Sequence, residues 1–227
     1  MSERSWPALL AEGTGTFLFF FIGAGSVVLT TYVGGGGPGL VGIALAHGLA
    51  LAVLVSALGA VSGGHFNPAV TFGLWVAGKI ESALAIAYVV VQLIGAVAAG
   101  LALRLVFSPD VWAPTNIGTP ALGSGISPAA GISVEAVLTV VLLLAVFGTA
   151  VDERAPQIGG LAIGLAVAAD ILFGGPLTGA AMNPARWFGP ALAAQAFSDW
   201  YVWIVGPLLG ALTAALLYRF AFAAEPD

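Results

Sequence analysis

Slid along itself, the 227-residue chain matches at one offset, 116 residues. Leu45-Ala46-His47-Gly48-Leu49-Ala50-Leu51-Ala52 aligns with Leu161-Ala162-Ile163-Gly164-Leu165-Ala166-Val167-Ala168. In the same register Asn67-Pro68-Ala69-Val70-Thr71-Phe72-Gly73 aligns with Asn183-Pro184-Ala185-Arg186-Trp187-Phe188-Gly189. Compositional bias alone could produce the first block, which is rich in Gly and Ala. The second is not of low complexity, and a single offset that holds both excludes chance as an adequate explanation. The chain must therefore fold as two related halves.

What the halves contain follows from hydropathy. Six apolar runs near the ~20 residues needed to cross a bilayer cover residues 9–31, 40–61, 83–107, 132–151, 158–174 and 200–222. The first holds one charge, Glu12, and is too long, and too closely followed by further apolar runs, for a cleaved signal peptide. Only 7% of residues are charged and 59% are hydrophobic, against about 25% charged in soluble domains, so an ordinary soluble enzyme is excluded. Three runs per half, an odd number, make the second half enter the membrane from the opposite side, so the repeats are inverted. The expected fold is an all-α membrane protein of one domain over residues 1–227. Its halves are approximately 1–107 and 129–227, joined by a Pro/Gly/Ser/Thr-rich loop, 108–128. That loop and the VGGGGP stretch at 33–38 read as lying outside the bilayer.

The remaining composition narrows function. A formal net charge of −5 leaves no basic patch for nucleic acid. There is no Cys and only two His, so no metal or other cofactor is expected. The dispersed acids suggest no catalytic set, so an enzyme is not expected. The 32 Gly suit closely approaching membrane helices. Arg4, Lys79, Arg154 and Arg219 fall on one side of the six spans and only Arg104 near the other, which predicts both termini in the cytoplasm. Trp6, Trp112 and Trp200 sit at span ends as interfacial anchors.

Residues 67–78 and 183–194 are apolar but only about a dozen residues long, roughly 16 Å as helix, half of a ~30 Å hydrocarbon core. Asn is a favoured N-cap and Pro suits the first helical position, so Asn67-Pro68-Ala69 and Asn183-Pro184-Ala185 read as helix starts near the bilayer centre. A helix can begin there only where its end lines a water-filled cavity. Two N-termini, each worth about +0.5 charge, oppose cations and protons at that point. The Asn amides can cap their helices and still turn N–H donors to a passing neutral molecule. The small, extended segments before the caps, residues 62–65 and 178–181, offer carbonyls to a single file of solute, those of Gly63, Gly64, His65, Gly179 and Ala181.

These residues, with Ala11-Glu12, Ser62-Gly63-Gly64-His65-Phe66, Gln92, Gly95-Ala96, Glu135 and Leu177-Thr178-Gly179-Ala180-Ala181-Met182, resemble the aquaporin (major intrinsic protein) family over essentially the whole chain. The resemblance implies six spans plus two re-entrant half-helices, a homotetramer with one pore per subunit, and passive conduction of water or small neutral solutes across a lipid bilayer.

Arg186, three residues into a half-helix, should face a pore or a satisfied polar pocket. By resemblance it belongs to the family's aromatic/arginine constriction. Spacing back from the caps assigns the other members: His47 lies 20 residues before Asn67, Ile171 lies 12 before Asn183, and Ala180 lies 3 before it. The strict water-channel pattern resembles Phe, His, a small residue or Cys, and Arg. His47 and Ile171 depart from it and are similar to plant vacuolar (tonoplast-type) members, which implies passage of ammonia or urea beside water. Glycerol facilitators carry Asp and a basic residue where Trp187 and Ala191 stand here, so a wide polyol pore is disfavoured. With Arg186 nearby, His47 is expected to act as a neutral donor or acceptor near pH 7, and acidification to reduce or alter flux. His65 reads as a loop anchor.

Glu12 and Glu135 sit early in spans 1 and 4. Intramembrane acids can mark an ion-coupled transporter, and Asp170 adds slightly to that alternative. The resemblance implies instead that both carboxylates hold the re-entrant loops by accepting backbone hydrogen bonds. Asp170 has no assigned place.

Overall fold

The computed structural model describes residues 5–34, 36–156 and 158–222. Arg4, one of the orienting charges, lies outside them. The helices are α1 (Ser5–Tyr32), α2 (Gly39–Ser62), α3 (Pro68–Val76), α4 (Ser82–Val106), α5 (Pro109–Trp112), α6 (Pro128–Val146), α7 (Gly159–Thr178), α8 (Pro184–Ala194) and α9 (Val202–Leu217). Wider π turns extend α6 to Val151 and α9 to Phe222. There is no strand among the described residues. Six of these helices are long and apolar enough to cross a membrane. The short α3 and α8 have nine and eleven residues, about 14 and 17 Å. The chain is thus all-helical, with six spans and two half-length helices.

Local chemistry sets the helix ends. Asn67 and Asn183 are extended N-caps whose side chains accept from the second and third helical N–H groups, with Pro at the first position. Gly63 (φ 90°) and Gly179 (φ 80°) close α2 and α7 in the left-handed conformation that glycine tolerates best.

Two boundaries differ from the sequence expectation. Span 5, expected to stop at residue 174, runs to Thr178 with Pro176 inside it. A proline so near the end removes one ladder hydrogen bond, and the stop comes at Gly179. The segments before the caps are not simply extended: Gly63, Gly64 and Phe66, and likewise Gly179, Ala180 and Met182, have positive φ, so the backbone zigzags toward each Asn.

The loop 108–128 is expected to lie outside the bilayer, and it is not an open connection. It instead folds back as α5 and a 3₁₀ turn, Ala113–Gly118, and its Ile117 is fully buried with Ala24, Leu103 and Ala193. Trp112, expected as an interfacial anchor, packs under the Arg104 guanidinium, 4.8 Å from its ring centroid. Trp6 and Trp200 are exposed.

Packing follows the repeat. α1 packs on α4 as α6 packs on α9, and α2 packs on its own counterpart α7. At that last crossing a Cβ on Gly48 would stand 2.6 Å from the Gly164 carbonyl oxygen, and one on Gly164 would stand 2.3 Å from that of Gly48. The backbones touch because neither residue has a side chain.

Candidate functional site

The two half-helices meet through their caps. Asn67 Nδ2 donates to the Met182 carbonyl (2.9 Å) and Asn183 Nδ2 donates to the Phe66 carbonyl (3.0 Å). Phe66 and Met182 are repeat counterparts, so the contact is reciprocal. Each Asn Oδ1 accepts from its own helix. Since an amide nitrogen carries two hydrogens, one N–H per Asn is left for whatever lies beside it. Pro68, Ala69, Pro184 and Ala185 are buried and start the helices.

Each approach loop hangs on a buried carboxylate in the same way. Ser62 Oγ (2.7 Å) and the His65 N–H (2.8 Å) donate to Glu12 Oε1, and the Phe66 N–H (2.7 Å) donates to Oε2. Their counterparts Thr178 Oγ1 (2.6 Å), Ala181 N–H (2.9 Å) and Met182 N–H (2.7 Å) donate to Glu135. Glu12 also accepts from Gln92 Nε2 (2.8 Å). Tyr88 Oη donates to the Ser62 carbonyl (2.8 Å), and Trp203 Nε1 to that of Thr178 (2.9 Å). Both carboxylates are fully buried. Four or three charge-assisted hydrogen bonds each make such burial tolerable, and they hold the left-handed residues Phe66, Ala180 and Met182 in place.

Two cavities flank this centre. One, about 180 Å³, is lined by both Asn residues, Gly63, Gly64, His65, Ala180 and Ala181, and reaches Lys79 and Val151. The other, about 230 Å³, is lined by Gly118, Thr119, Gly175 and Gly179. His47, Ile171 and Arg186 line both, so these three side chains form the neck where the cavities adjoin. Ala180 lies on the Asn side of it and Gly179 on the other. The only titratable side chains lining the Asn-lined cavity among the described residues are His47, His65, Lys79 and Arg186; none is acidic.

Within the neck, Arg186 Nε donates to His47 Nε2 (3.1 Å), and its Nη1 donates to the Gly118 carbonyl (2.7 Å). His47 Nδ1 lies 2.9 Å from the Ile43 carbonyl, so it carries the ring proton and the imidazole is neutral. Both ring nitrogens are thereby spent on protein partners. His65 Nδ1 is 3.0 Å from Thr71 Oγ1, which ties its ring to α3.

Sequence reasoning missed several participants. Gly118 acts through its carbonyl, and Phe66 and Met182 through theirs, so residue type gave no signal. Tyr88 and Trp203 could have been found as polar-tipped aromatics inside spans. Asp170 is buried and lines neither cavity, and its Oδ2 has no hydrogen-bond partner among the described residues; nothing in the structure explains it.

Six spans enclosing two half-helices that meet cap to cap beside a necked cavity define an integral, multi-pass membrane channel of inverted-repeat design. The chain belongs to the aquaporin, or major intrinsic protein, family, and its residues 1–218 match that family. Aquaporin TIP4-4 of Zea mays is 47% identical over 224 residues, which cover 96% of this chain and 87% of that protein. Aquaporin TIP2-1 of Arabidopsis thaliana is 43% identical over 233 residues, covering 100% of this chain and 91% of that protein. The X-ray structure of the aquaglyceroporin from Plasmodium falciparum matches with a TM-score of 0.85 over 96% of each chain; at 23% identity that likeness concerns the fold alone.

Proposed function

We propose that the chain is a passive water channel that excludes ions and protons, with ammonia passing beside water. The observation that carries this reading is the reciprocal Asn67–Asn183 contact, which leaves two helix N-termini and two spare amide N–H groups at the centre of the cavity. Positive potential there opposes cations, and the amide donors take the oxygen of each passing water. The alternative of ion-coupled transport needs cations to bind at this same place, and no carboxylate lines the Asn-lined cavity among the described residues.

In this reading His47, Ile171, Ala180 and Arg186 form the selectivity filter. The carbonyls of Gly63, Gly64, His65, Gly179 and Ala181 guide the file, and Glu12 and Glu135 hold the loops. One conduction domain spans residues 1–227, with halves near 1–107 and 129–227. The chain assembles as a homotetramer with its termini in the cytoplasm. Its TIP-named relatives favour the vacuolar membrane.

Stopped-flow light scattering on proteoliposomes tests the proposal with water, ammonia, urea and glycerol, with and without ion gradients. Water flux of low activation energy that is independent of those gradients is expected. Gradient-dependent flux would refute the channel reading, and glycerol passing as readily as water would refute the filter assignment. Comparison with His47→Phe reports on ammonia.

A further inference from the structure

Arg104 is the lone basic residue that runs against the charge asymmetry of the spans, and orientation gives it no role. It stands in the last turn of α4, one helical turn beyond Gly100, where α4 lies so close to α8 that an added Cβ would stand 2.9 Å from the Gly189 carbonyl oxygen and from the Ala193 Cβ. From there it makes two contacts. Its Nη1 donates to the Ala193 carbonyl (2.8 Å), in the last turn of α8. Its guanidinium also covers the Trp112 ring, 4.8 Å from the centroid. A cation on exposed C-terminal carbonyls complements the helix dipole, and Arg over Trp is the stronger form of the cation–π contact.

Both contacts lead to the same atom group. α8 carries Arg186 as its third residue, seven residues before Ala193, about 10 Å along the axis, so fixing the last turn of α8 fixes how far the Arg186 backbone reaches into the neck. Trp112 leads into the 3₁₀ turn that ends at Gly118, whose carbonyl accepts from Arg186 Nη1 (2.7 Å). The turn is held against its own preference: Asn116 (φ 48°) and Ile117 (φ 58°) are both left-handed, and for a β-branched residue this is a true outlier. Such a conformation persists only where the surroundings over-determine it. Ile117, fully buried among Ala24, Leu103 and Ala193, supplies one restraint, hydrogen bonds from Thr115 and Thr119 to the Trp112 and Asn116 carbonyls supply local ones, and the Arg104–Trp112 stack ties the turn to α4. The backbone that carries Arg186 and the carbonyl that holds its guanidinium therefore share one anchor.

We propose that Arg104 is a positioning residue for the Arg186 guanidinium: it clamps the end of α8 to the loop that bears Gly118 and so sets where that side chain stands in the neck. The inference rests on the proposed reading of the neck as the selecting constriction. Without the clamp, Arg186 loses its fixed hold on Gly118 and the guanidinium takes up several positions across the opening.

The test is a mutant cycle on the full-length protein. Arg104→Met removes the bond and the stack at similar length. It is expected to change the urea-to-water permeability ratio by about fivefold, the factor that one ordinary hydrogen bond represents. In an Arg186→Ala background the same substitution is expected to leave the ratio unchanged, because the side chain being positioned is gone. Arg104→Lys, which keeps a cation and a donor, should restore most of the parent ratio. Trp112→Leu, which breaks only the loop arm, should move it in the same direction as Arg104→Met, and it serves if that variant does not fold. A second readout does not depend on flux: the Arg186 Nη1–H, which donates to the Gly118 carbonyl, should exchange with solvent about fivefold faster in Arg104→Met by NMR, again the factor for one hydrogen bond. If the parent fails to pass water, the channel proposal fails while the exchange measurement still decides this one. An unchanged exchange rate, or a selectivity shift that persists in the Arg186→Ala background, would overturn the positioning role.

Discussion

The α2–α7 crossing offers the sharpest link between packing and permeation. Gly164→Ala adds one methyl group to a place where backbone meets backbone: its Cβ would lie 2.3 Å from the Gly48 carbonyl oxygen, 2.7 Å from the Ala52 Cβ and 3.0 Å from the Ala52 nitrogen. None of these atoms can rotate away, so α7 must part from α2 by about 1 Å before the contacts become ordinary. Overpacking of this kind costs about 1–3 kcal/mol, and a chain of this size loses about 2–4 °C in unfolding midpoint per kcal/mol. Gly59→Ala, on the facing helix α2, is the control, because its Cβ would meet only Val55 Cγ1 at 4.0 Å. There the change should be stabilising by about 0.5–1 kcal/mol, since alanine replaces glycine within a helix. Function should follow. His47 adjoins Gly48, and Ile171 lies two turns beyond Gly164, so parting the helices opens the neck between them and raises urea and glycerol permeability relative to water. The assays are thermal unfolding in detergent, followed by retention on size exclusion, and stopped-flow permeation. Equal midpoints for the two variants, or a destabilised Gly164→Ala with the parent solute ratios, would show that this crossing does not set the neck.

Glu135→Ala should leave the Ala181 and Met182 N–H groups without their acceptor and the Thr178 hydroxyl only its 3.5 Å contact with the Gly174 carbonyl, a loss of about 1–3 kcal/mol per unsatisfied donor, seen as loss of monodisperse protein on extraction. Glu135→Gln should recover part of it, because the amide oxygen still accepts from Thr178 and Ala181 while its NH₂ opposes the Met182 N–H. With no Cys in the chain, thiol-directed mercurials should leave water flux unchanged. Ala180→Cys, on the cavity wall, should make it sensitive; a blocked parent or an unblocked variant would contradict the lining assigned here. In the loop after span 4, Arg154 chelates the Asp152 carboxylate and donates to the Phe222 carbonyl, and this holds the Asp152 carboxyl down to about 2. Its depressed value means the pair contributes fully above the unfolded carboxyl's pKa of about 4 and is lost only as pH falls through about 2. The midpoint difference between parent and Arg154→Ala should therefore stay constant from pH 8 to 5 and shrink with added salt.

Much of the architecture is legible because membranes restrict the choices. A run of apolar residues must be a span, and a run half as long that begins Asn-Pro must be a helix starting inside. The repeat register brings the two Asn residues together without further information. Spacing back from the caps, read through the family resemblance, picks out His47, Ile171 and Arg186, which line both cavities. What was not legible works through the backbone or through competition for hydrogen bonds. The Gly118 carbonyl reaches Arg186 only because residues 116 and 117 turn left-handed, a conformation that Asn-Ile does not advertise. Nor does the residue type show that Ile43 and Arg186 occupy both ring nitrogens of His47. Span 5 outran its predicted end because Gly-Gly-Pro reads as a stop, although Thr178 is pinned to Glu135 one turn later.

The repeat also separates framework from selectivity. The loop groups that bind the carboxylates and caps are paired at offset 116, Ser62 with Thr178, His65 with Ala181, Phe66 with Met182 and Asn67 with Asn183, whereas Glu12 and Glu135 themselves stand at unmatched positions. These contacts run through carboxylates, hydroxyls and backbone, which both halves retain. The neck does the reverse. The counterparts of Arg186, His47, Ile171 and Ala180 are Val70, Ile163, Val55 and Gly64. Of these, Val70, Ile163 and Gly64 line the Asn-lined cavity, at the place where a second neck would stand. A symmetric pair of necks would put a second guanidinium in the path and repel the solute's own hydrogens twice. Val70 and Ile163 in place of a second Arg and His leave one guanidinium in the path while the opposed helix ends maintain positive potential at the centre. On the proposed assignment of the neck, selectivity is therefore a broken symmetry: the fold is stated twice, and the filter is written where the two statements differ.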